Sequence, residues 1–340
     1  MTTLTIKKIG PGASIQDLGR RGLLAQGLSR GGAADRLALL EGAALLDQSP
    51  DCAALEMTAM GGTFNVDAPS RIALTGAPLR AQIDGESVTW HASHRLKPGQ
   101  TLTLGPGKGG VWSYLHLGGG IQTDPIMGSR ATHLSLKLGL IPETGTELPL
   151  KDDQSGPVER VVDVADRFKG GQVRVLASTH TALFSQDDID RFETTTFTRD
   201  QRGNRQGVRL NHDGAPFAIA DQLGIVSEVI VPGDIQMTGE GTPYILLPEC
   251  QTTGGYPRIG SVLPDDLPKA AQAAAGAELT FRFIDRDQAT DLHKSEDDLL
   301  KALKKSVRPL VRDPREMRDL GSYQLISGVT AGTNEKGELA

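Results

Sequence analysis

Through its first 120 residues the chain alternates apolar and polar positions at period two. "LTIKKI", "TFNV", "RIALTG", "AQIDGESVTW", "TLTLG" and "VWSYLHL" each read as a strand, with Gly, Pro or Asp punctuating the runs. One stretch breaks the pattern: in "GGAADRLALLEGAALLDQSP", Leu37, Leu40, Ala44 and Leu45 fall at helical spacing, which predicts a helix from Ala33 to Leu46. Polar, glycine-broken sequence follows residue 150. Beyond it "QVRVLAS", "GVRLN", "GIVSEVIVPGDIQMTG", "TPYILLPE" and "ELTFRFID" read as strands again, with a short helix before "ETTTFT". "EMTAMGGTFNV" is echoed by "EVIVPGDIQMT", and "GQTLTL" by "GAELTF" at nearly the same offset, which suggests duplicated barrel-like units. We therefore divide the chain into residues 1–155, an N-terminal β unit with an inserted helix; 156–285, a second β unit; and 286–340, a helical and loose extension. In that extension the apolar positions 289, 292, 299, 300 and 303 form one side of a surface helix.

Composition narrows the function. At 340 residues the chain exceeds one ordinary core, and 41 glycines with only 4% aromatic residues favour many short strands over long helices. The formal net charge of -6, with both signs interspersed, leaves no basic stripe for nucleic acid. No apolar run is long enough to span a membrane, and "MTTLTIKKIGPG" has no signal-peptide core, so we expect a cytoplasmic protein with no membrane partner. Cys52 and Cys250 lie far apart and read as free thiols.

Several motifs carry candidate chemistry. "GPGKGG" lacks the phosphate-loop spacing and sits between two strands, so a hairpin turn is expected. His91 and His94 lack a third metal ligand and read as a surface strand or turn. In "GLSRGG", Gly27, Ser29 and Gly31 have the form GxSxG before a helix, either a nucleophile or anion-binding turn or simply a turn that caps the helix. "SIQDLGRRG" gathers Gln16, Asp17 and Arg20 around Gly19, and "GSRAT" puts Ser129 and Arg130 after a strand; arginine forks suit a carboxylate or phosphate. In "PECQTTGGYPRIG", a buried strand ends in Gln251, Thr252, Thr253, Gly254, Gly255 and Tyr256. The glycines let backbone N–H groups approach a ligand, and the amide and hydroxyls can bond a small polar molecule.

"SIQDLGRRG", "GGAADRLAL", "GSRAT" and above all "QTTGGYPRIG" with "DDL" resemble the carboxyltransferase-type family that includes the C subunit of 5-oxoprolinase, allophanate hydrolase subunit 2 and part of urea carboxylase. The resemblance runs in order from Leu4 to Ile284. It implies a mainly β fold of two cyclophilin-like β-barrel domains with a few short helices. It also implies work alongside a homologous partner, similar to the B subunit of 5-oxoprolinase, and a lactam-utilisation A subunit, on a small amide or lactam substrate.

The main expectation is a subunit of an ATP-dependent 5-oxoprolinase, with ATP in the assembled complex. Gln251, Thr252, Thr253, Gly254, Gly255 and Tyr256 would then be catalytic, and Gln16, Asp17, Arg20, Ser129 and Arg130 would bind substrate. One alternative is the carboxyltransferase subunit of a urea-carboxylase-like enzyme using carboxybiotin on a separate carrier, since none of the six methionines has a neighbouring lysine. Another is a non-catalytic regulator that binds a ligand or a kinase-inhibitor protein. Asn204 stands where relatives commonly carry Asp, which puts any role of that charge in doubt.

Overall fold

The computed structural model describes residues 2–58, 60–107, 109–217, 219 and 225–311. The fold is mainly β and most of the expected strands form, though "AQIDGESVTW" is split by a turn into Leu79–Ile83 and Glu86–Ser87, and "GIVSEVIVPGDIQMTG" holds two strands, Glu228–Val229 and Asp234–Met237. In the N-terminal unit two antiparallel sheets face each other. One runs Glu147–Leu150, Thr2–Ile9, Gly62–Val66, Leu102–Gly107, Leu79–Ile83, Glu86–Ser87 in spatial order. The other runs Ser14–Gln16, Ala54–Thr58, Trp112–Leu117, Ser70–Gly76, Ala92–Leu96, Arg160–Val161, Arg308–Pro309. Leu4, Ile6, Phe64 and Leu102 from the first meet Ile15, Leu55, Ile72 and Leu115 from the second in one core. The alternation follows from this: Gly62, Phe64 and Val66 point inward, and Thr63 and Asn65 do not.

Ser70–Gly76 and Trp112–Leu117 are buried at every position because the helix Arg36–Leu46 covers their second face. The Thr75 hydroxyl donates to Ala38 O at 2.9 Å, and Gly42 lies so close to the sheet that a Cβ there would come within 2.3 Å of the His116 ring. The helix starts at Arg36 rather than Ala33. Asp35 is its cap, accepting from Ala38 N at 3.2 Å, while the N–H groups of Ala33 and Ala34 bond Asp17 O and the Glu56 carboxylate. Ser29 therefore lies well ahead of the helix and does not cap it. The "GPGKGG" segment is likewise no hairpin, since its flanking strands belong to different sheets. His94 sits inside Ala92–Leu96, buried, with Nε2 bonded to Thr89 O at 2.7 Å.

The second unit is a closed seven-stranded barrel: Gly170–Leu176, Arg258–Val262, Asp234–Met237, Pro243–Leu246, Gly207–Asn211, Phe197–Gly203 and Glu278–Phe283, the last closing on the first by parallel pairing of Val173 with Phe281. Aromatic side chains fill it. Phe192, from the helix Gln186–Thr194, stacks on Phe281 with ring centroids 4.8 Å apart and also meets Phe197 at 5.1 Å. Burying each such ring is worth about 1.5–3 kcal/mol.

Two boundaries need correction. Residues 156–161, assigned above to the second unit, still belong to the first, because Val161 pairs with Ala92 and Arg160 with Pro309. The edge of the sheet needs partners, and it takes them from segments distant in sequence. The single surface helix is in fact two, Arg286–Leu292 and Glu296–Ser306. Asp265 holds His293 Nδ1 at 2.8 Å and Lys294 N at 3.2 Å, and Ser295 then caps the second helix. That helix is docked: Leu303 and Val307 pack on Leu45 and Leu46. The remainder of the expected loose extension, from residue 312, lies outside the described residues.

Two buried arginines join the units. Arg167 donates from Nε to Asp35 at 2.7 Å and from both terminal nitrogens to Glu41 at 2.8 and 3.0 Å. Arg205 donates from Nε to Glu249 at 2.5 Å and also to Glu56 and Gly32 O. Gln272 completes the joint, donating to Asp35 and Trp112 O and accepting from the N–H groups of Val111 and Trp112.

Candidate functional site

Glu249 is the pivot of the site. It follows the buried strand Pro243–Leu246, and its carboxylate accepts from Arg205 Nε, from Leu134 N at 3.1 Å, and from Ser135 N and Oγ at 3.0 and 3.1 Å. Burial pushes this carboxyl up, but the Arg205 charge and these donors outweigh it and hold Glu249 below the usual carboxylate range.

His133 faces it with Nδ1 at 3.6 Å, beyond hydrogen-bond length, and Nε2 lies 3.0 Å from the Ser29 hydroxyl. Burial lowers the His133 pKa, with Glu249 opposing and Arg205 and Arg20 adding to the shift, so the ring is neutral near pH 7. A neutral imidazole between a hydroxyl and a carboxylate can accept the hydroxyl proton.

Arg20 comes in from the other side. Its Nε donates to Ile126 O at 3.1 Å and Nη2 to Ala131 O at 2.7 Å, and the buried Nη1 has no partner among the described residues. A Cβ on Gly31 would lie 3.6 Å from His133 Cδ2 and 4.0 Å from that Nη1, so imidazole and free guanidinium N–H border the same spot. Gly31 is fixed there by its own N–H, which donates to Pro248 O at 3.0 Å. An unpartnered buried donor beside a hydroxyl and a neutral histidine suits a carbonyl oxygen or carboxylate.

The two segments expected to bind substrate do meet. Asp17 accepts from Gly19 N at 2.8 Å, from Ser129 Oγ at 2.6 Å and from Arg130 N at 2.7 Å. Gln16 donates to Ser14 Oγ and Thr132 O, both at 2.9 Å. Gln16, Asp17 and Ser129 thus knit the two segments together and are buried, Arg20 keeps a free donor, and Arg130 is half-exposed.

The loop Gln251–Tyr256 begins next to Glu249 and then leads outward. Thr253–Gly254 pairs with Glu228–Val229, and Gln251, Thr253 and Tyr256 are exposed. Neither glycine has a positive φ. Gly254 is required by packing, since a Cβ would come within 2.8 Å of Gln236 Nε2 and 3.1 Å of Ile230 Cδ1, whereas at Gly255 the nearest atoms would be 3.4 Å away. Asn204 closes a turn, its Oδ1 accepting from Gln206 N at 2.7 Å and Gly207 N at 3.3 Å; an amide oxygen does this as well as a carboxylate.

Sequence reasoning missed His133, Glu249 and Arg205 as site residues. Ser29 had a signal in its glycine spacing, and Glu249 opens the "ECQTTGGYP" run. His133 had none. Among the described residues no group of three His, Cys, Asp or Glu side chains is placed to hold a metal, and no helix is long and apolar enough to cross a membrane. A shallow depression at Gln122, Leu150, Lys151 and Asp152 contains none of the site residues.

The chain is 31% identical over 282 residues to the C subunit of 5-oxoprolinase from Escherichia coli (strain K12), covering 82% of this chain and 90% of that protein. It is 28% identical over 299 residues to the 5-oxoprolinase C subunit of Haemophilus influenzae, covering 87% and 96%. The solved structure of the Kluyveromyces lactis urea carboxylase superimposes with a TM-score of 0.79 at 21% identity over 92% of this chain and 31% of that one, a likeness of fold. The profile of one family, described as carboxyltransferase domain, subdomain A and B, matches residues 26–283, more than half of the chain, which therefore belongs to that family.

Proposed function

We propose that the chain is the C subunit of an ATP-dependent 5-oxoprolinase, an assembly that opens the lactam of 5-oxoproline to glutamate. The observation that carries this reading is its similarity to the Escherichia coli C subunit over 90% of that protein's length. A lactam carbonyl is a poor electrophile, and ATP supplies its activation when bound. In the ring opening a water oxygen joins the carbonyl carbon, the ring C–N bond breaks and the freed nitrogen takes up a proton. Neutral His133, bonded to Ser29, is suited to hold and return that proton, and Arg20 or Arg130 to pair with the substrate carboxylate. The Gln251–Tyr256 loop supplies amide and hydroxyl groups at the outer edge. The strand Leu102–Gly107 is followed by the strand Trp112–Leu117 and not by a helix, which does not fit a nucleotide phosphate loop.

In the chain alone Ser29 and His133 are 4% and 2% exposed. The loop 123–141 that carries His133 presents Ile126, Met127, Leu136, Leu140 and Ile141 to solvent. A homologous partner docking on this apolar rim and drawing the loop outward admits the substrate. The test is co-expression with homologues of the other two 5-oxoprolinase components, the A and B proteins, and measurement of ATP-dependent glutamate release. Glutamate from the complete assembly, and none from the purified chain, is expected; a complete, folded assembly that releases none overturns the assignment.

A second reading is favoured by the family description and by the fold of the Kluyveromyces lactis urea carboxylase: transfer of a carboxyl group from carboxybiotin on a separate carrier to a urea-like acceptor. Labelled carboxyl transfer from such a carrier, with no glutamate release, selects it.

A further inference from the structure

Three guanidiniums converge on one carboxylate at the surface beside the Ser29 turn. Arg21 Nη2 donates to Glu296 Oε2 at 2.8 Å, Arg30 Nη2 lies 3.8 Å from Oε1, and Arg36 Nη2 contacts the same oxygen. Arg21 and Arg30 come from the loop before the helix Arg36–Leu46, Arg36 is that helix's first residue, and Glu296 is the first residue of Glu296–Ser306. Three positive charges against one negative leave the cluster under-compensated. Asp17 is engaged with Ser129 and Arg130 N, Asp35 with Arg167 and Gln272, and Asp298, in the same helical turn as Glu296, with Ser295 and Lys301. Arg36 shows the consequence: burial first, then Arg30 and Arg21, push its pKa down to about 9. A cation at a helix N-terminus is also on the wrong side of the helix dipole unless an anion sits with it. Arg30 Nη2 and Arg36 Nε are buried and lack hydrogen-bond partners among the described residues.

We propose that Arg21, Arg30 and Arg36 form a binding site for a phosphate group of a small molecule, and that Glu296 occupies it as an internal substitute for the ligand. A carboxylate offers two oxygens to three forks, and a tetrahedral dianion offers enough for all of them. The site is open to solvent, with Arg36 and Glu296 side chains 35% and 32% exposed. The helix has other anchors, Lys304 to Asp47 at 2.6 Å and the packing of Leu303, so Glu296 can swing out while its helix stays docked. None of this depends on which reaction the assembly performs.

The experiment titrates inorganic phosphate into the full chain at constant ionic strength, read by calorimetry, with circular dichroism as a check of folding. Glu296→Gln removes the competing charge and is expected to bind phosphate about tenfold more tightly than the native chain, the usual scale of coupling between competing contacts. Arg36→Ala in the same background abolishes the gain. Arg21→Ala, at a 63% exposed side chain with no fold to lose, weakens binding. Glu296→Gln binding no tighter than the native chain, or binding that survives both arginine changes, makes the cluster a helix latch and overturns the proposal.

Discussion

Replacing Arg205 by Met removes the cation that Glu56 and Glu249, two buried carboxylates, share. The Arg205 side chain is 3% exposed, and those of Glu56 and Glu249 are fully buried. Burial alone depresses the Arg205 pKa, but the charges of Glu56 and Glu249 more than reverse it, so the guanidinium is held by both acids at once. In the variant Glu56 keeps the donors Ala34 N at 2.9 Å and Tyr114 OH at 2.7 Å, and Glu249 keeps Leu134 N and Ser135. Hydrogen bonds remain, and the counter-charge is gone. Breaking a buried pair from one side costs about 3–5 kcal/mol, and with two acids stranded the upper end applies. At a few degrees per kcal/mol the first thermal transition should fall by about 10 °C or more. Urea unfolding followed through Trp112, whose ring lies 5.8 Å from the Arg205 guanidinium, measures the loss. The pH dependence identifies the cause. Without the Arg205 charge, burial pushes the Glu249 carboxyl up, so the folded variant takes up protons more readily and its deficit shrinks as pH falls from 7 to 5. Arg205→Lys keeps the charge but cannot reach both acids and Gly32 O, and should lose less. A loss under about 1 kcal/mol at pH 7, or a deficit that does not shrink on acidification, refutes the reasoning.

Ser29→Ala and His133→Asn should each lower turnover of the assembled enzyme by about 100-fold or more while leaving its assembly intact, and a Ser29→Ala assembly with native turnover removes the hydroxyl from the chemistry. Gly254→Ala forces a methyl against Gln236 and Ile230 and should cost about 1–3 kcal/mol. Gly255→Ala has room and should leave stability unchanged, so turnover per folded molecule at Gly255→Ala tests directly whether its N–H serves a ligand. Glu41 is held up to about 6, first by burial, with Arg167 opposing and Asp35 assisting. A raised folded pKa means that Glu41 lowers stability as pH climbs from the unfolded value through 6, and Glu41→Gln should flatten that part of a pH–stability curve. An unchanged curve removes Glu41 from the account.

Much of the fold was legible because strand alternation is a local signal: Thr2–Ile9 and Gly62–Val66 lie where their patterns put them. The helix start was misread by three residues because Ala33 and Ala34 continue the apolar run, while the group that ends the extended backbone is the Asp35 side chain. The barrel's closure was not legible, since Val173 meets Phe281 across more than a hundred residues. The same limit hid most of the site. Nothing in their own segments links Arg205 to Glu249, and nothing near His133 marks it as facing Ser29. Asp17, Arg20, Ser129 and Arg130 could be picked out because hydroxyls and arginines crowd glycine turns, though most of them proved to hold the two turns together.

The Arg205 half of the joint between the units is also part of the candidate site. Ser29 and His133 belong to segments of the N-terminal unit, and Glu249 belongs to the barrel, as does Arg205, which fixes Glu249 while also reaching Glu56 and Gly32 O in the first unit. Glu249 in turn holds the N–H groups of Leu134 and Ser135, the two residues after His133, so the imidazole is positioned by a carboxylate supplied from the other unit. Neither unit alone contains both the hydroxyl–imidazole pair and the acid that orders it. A buried arginine shared between two carboxylates is a poor choice for stability alone, since apolar packing of the same volume would serve as well or better. It does fix one relative placement of the two units, and with it the Glu249 carboxylate that holds the two residues after His133.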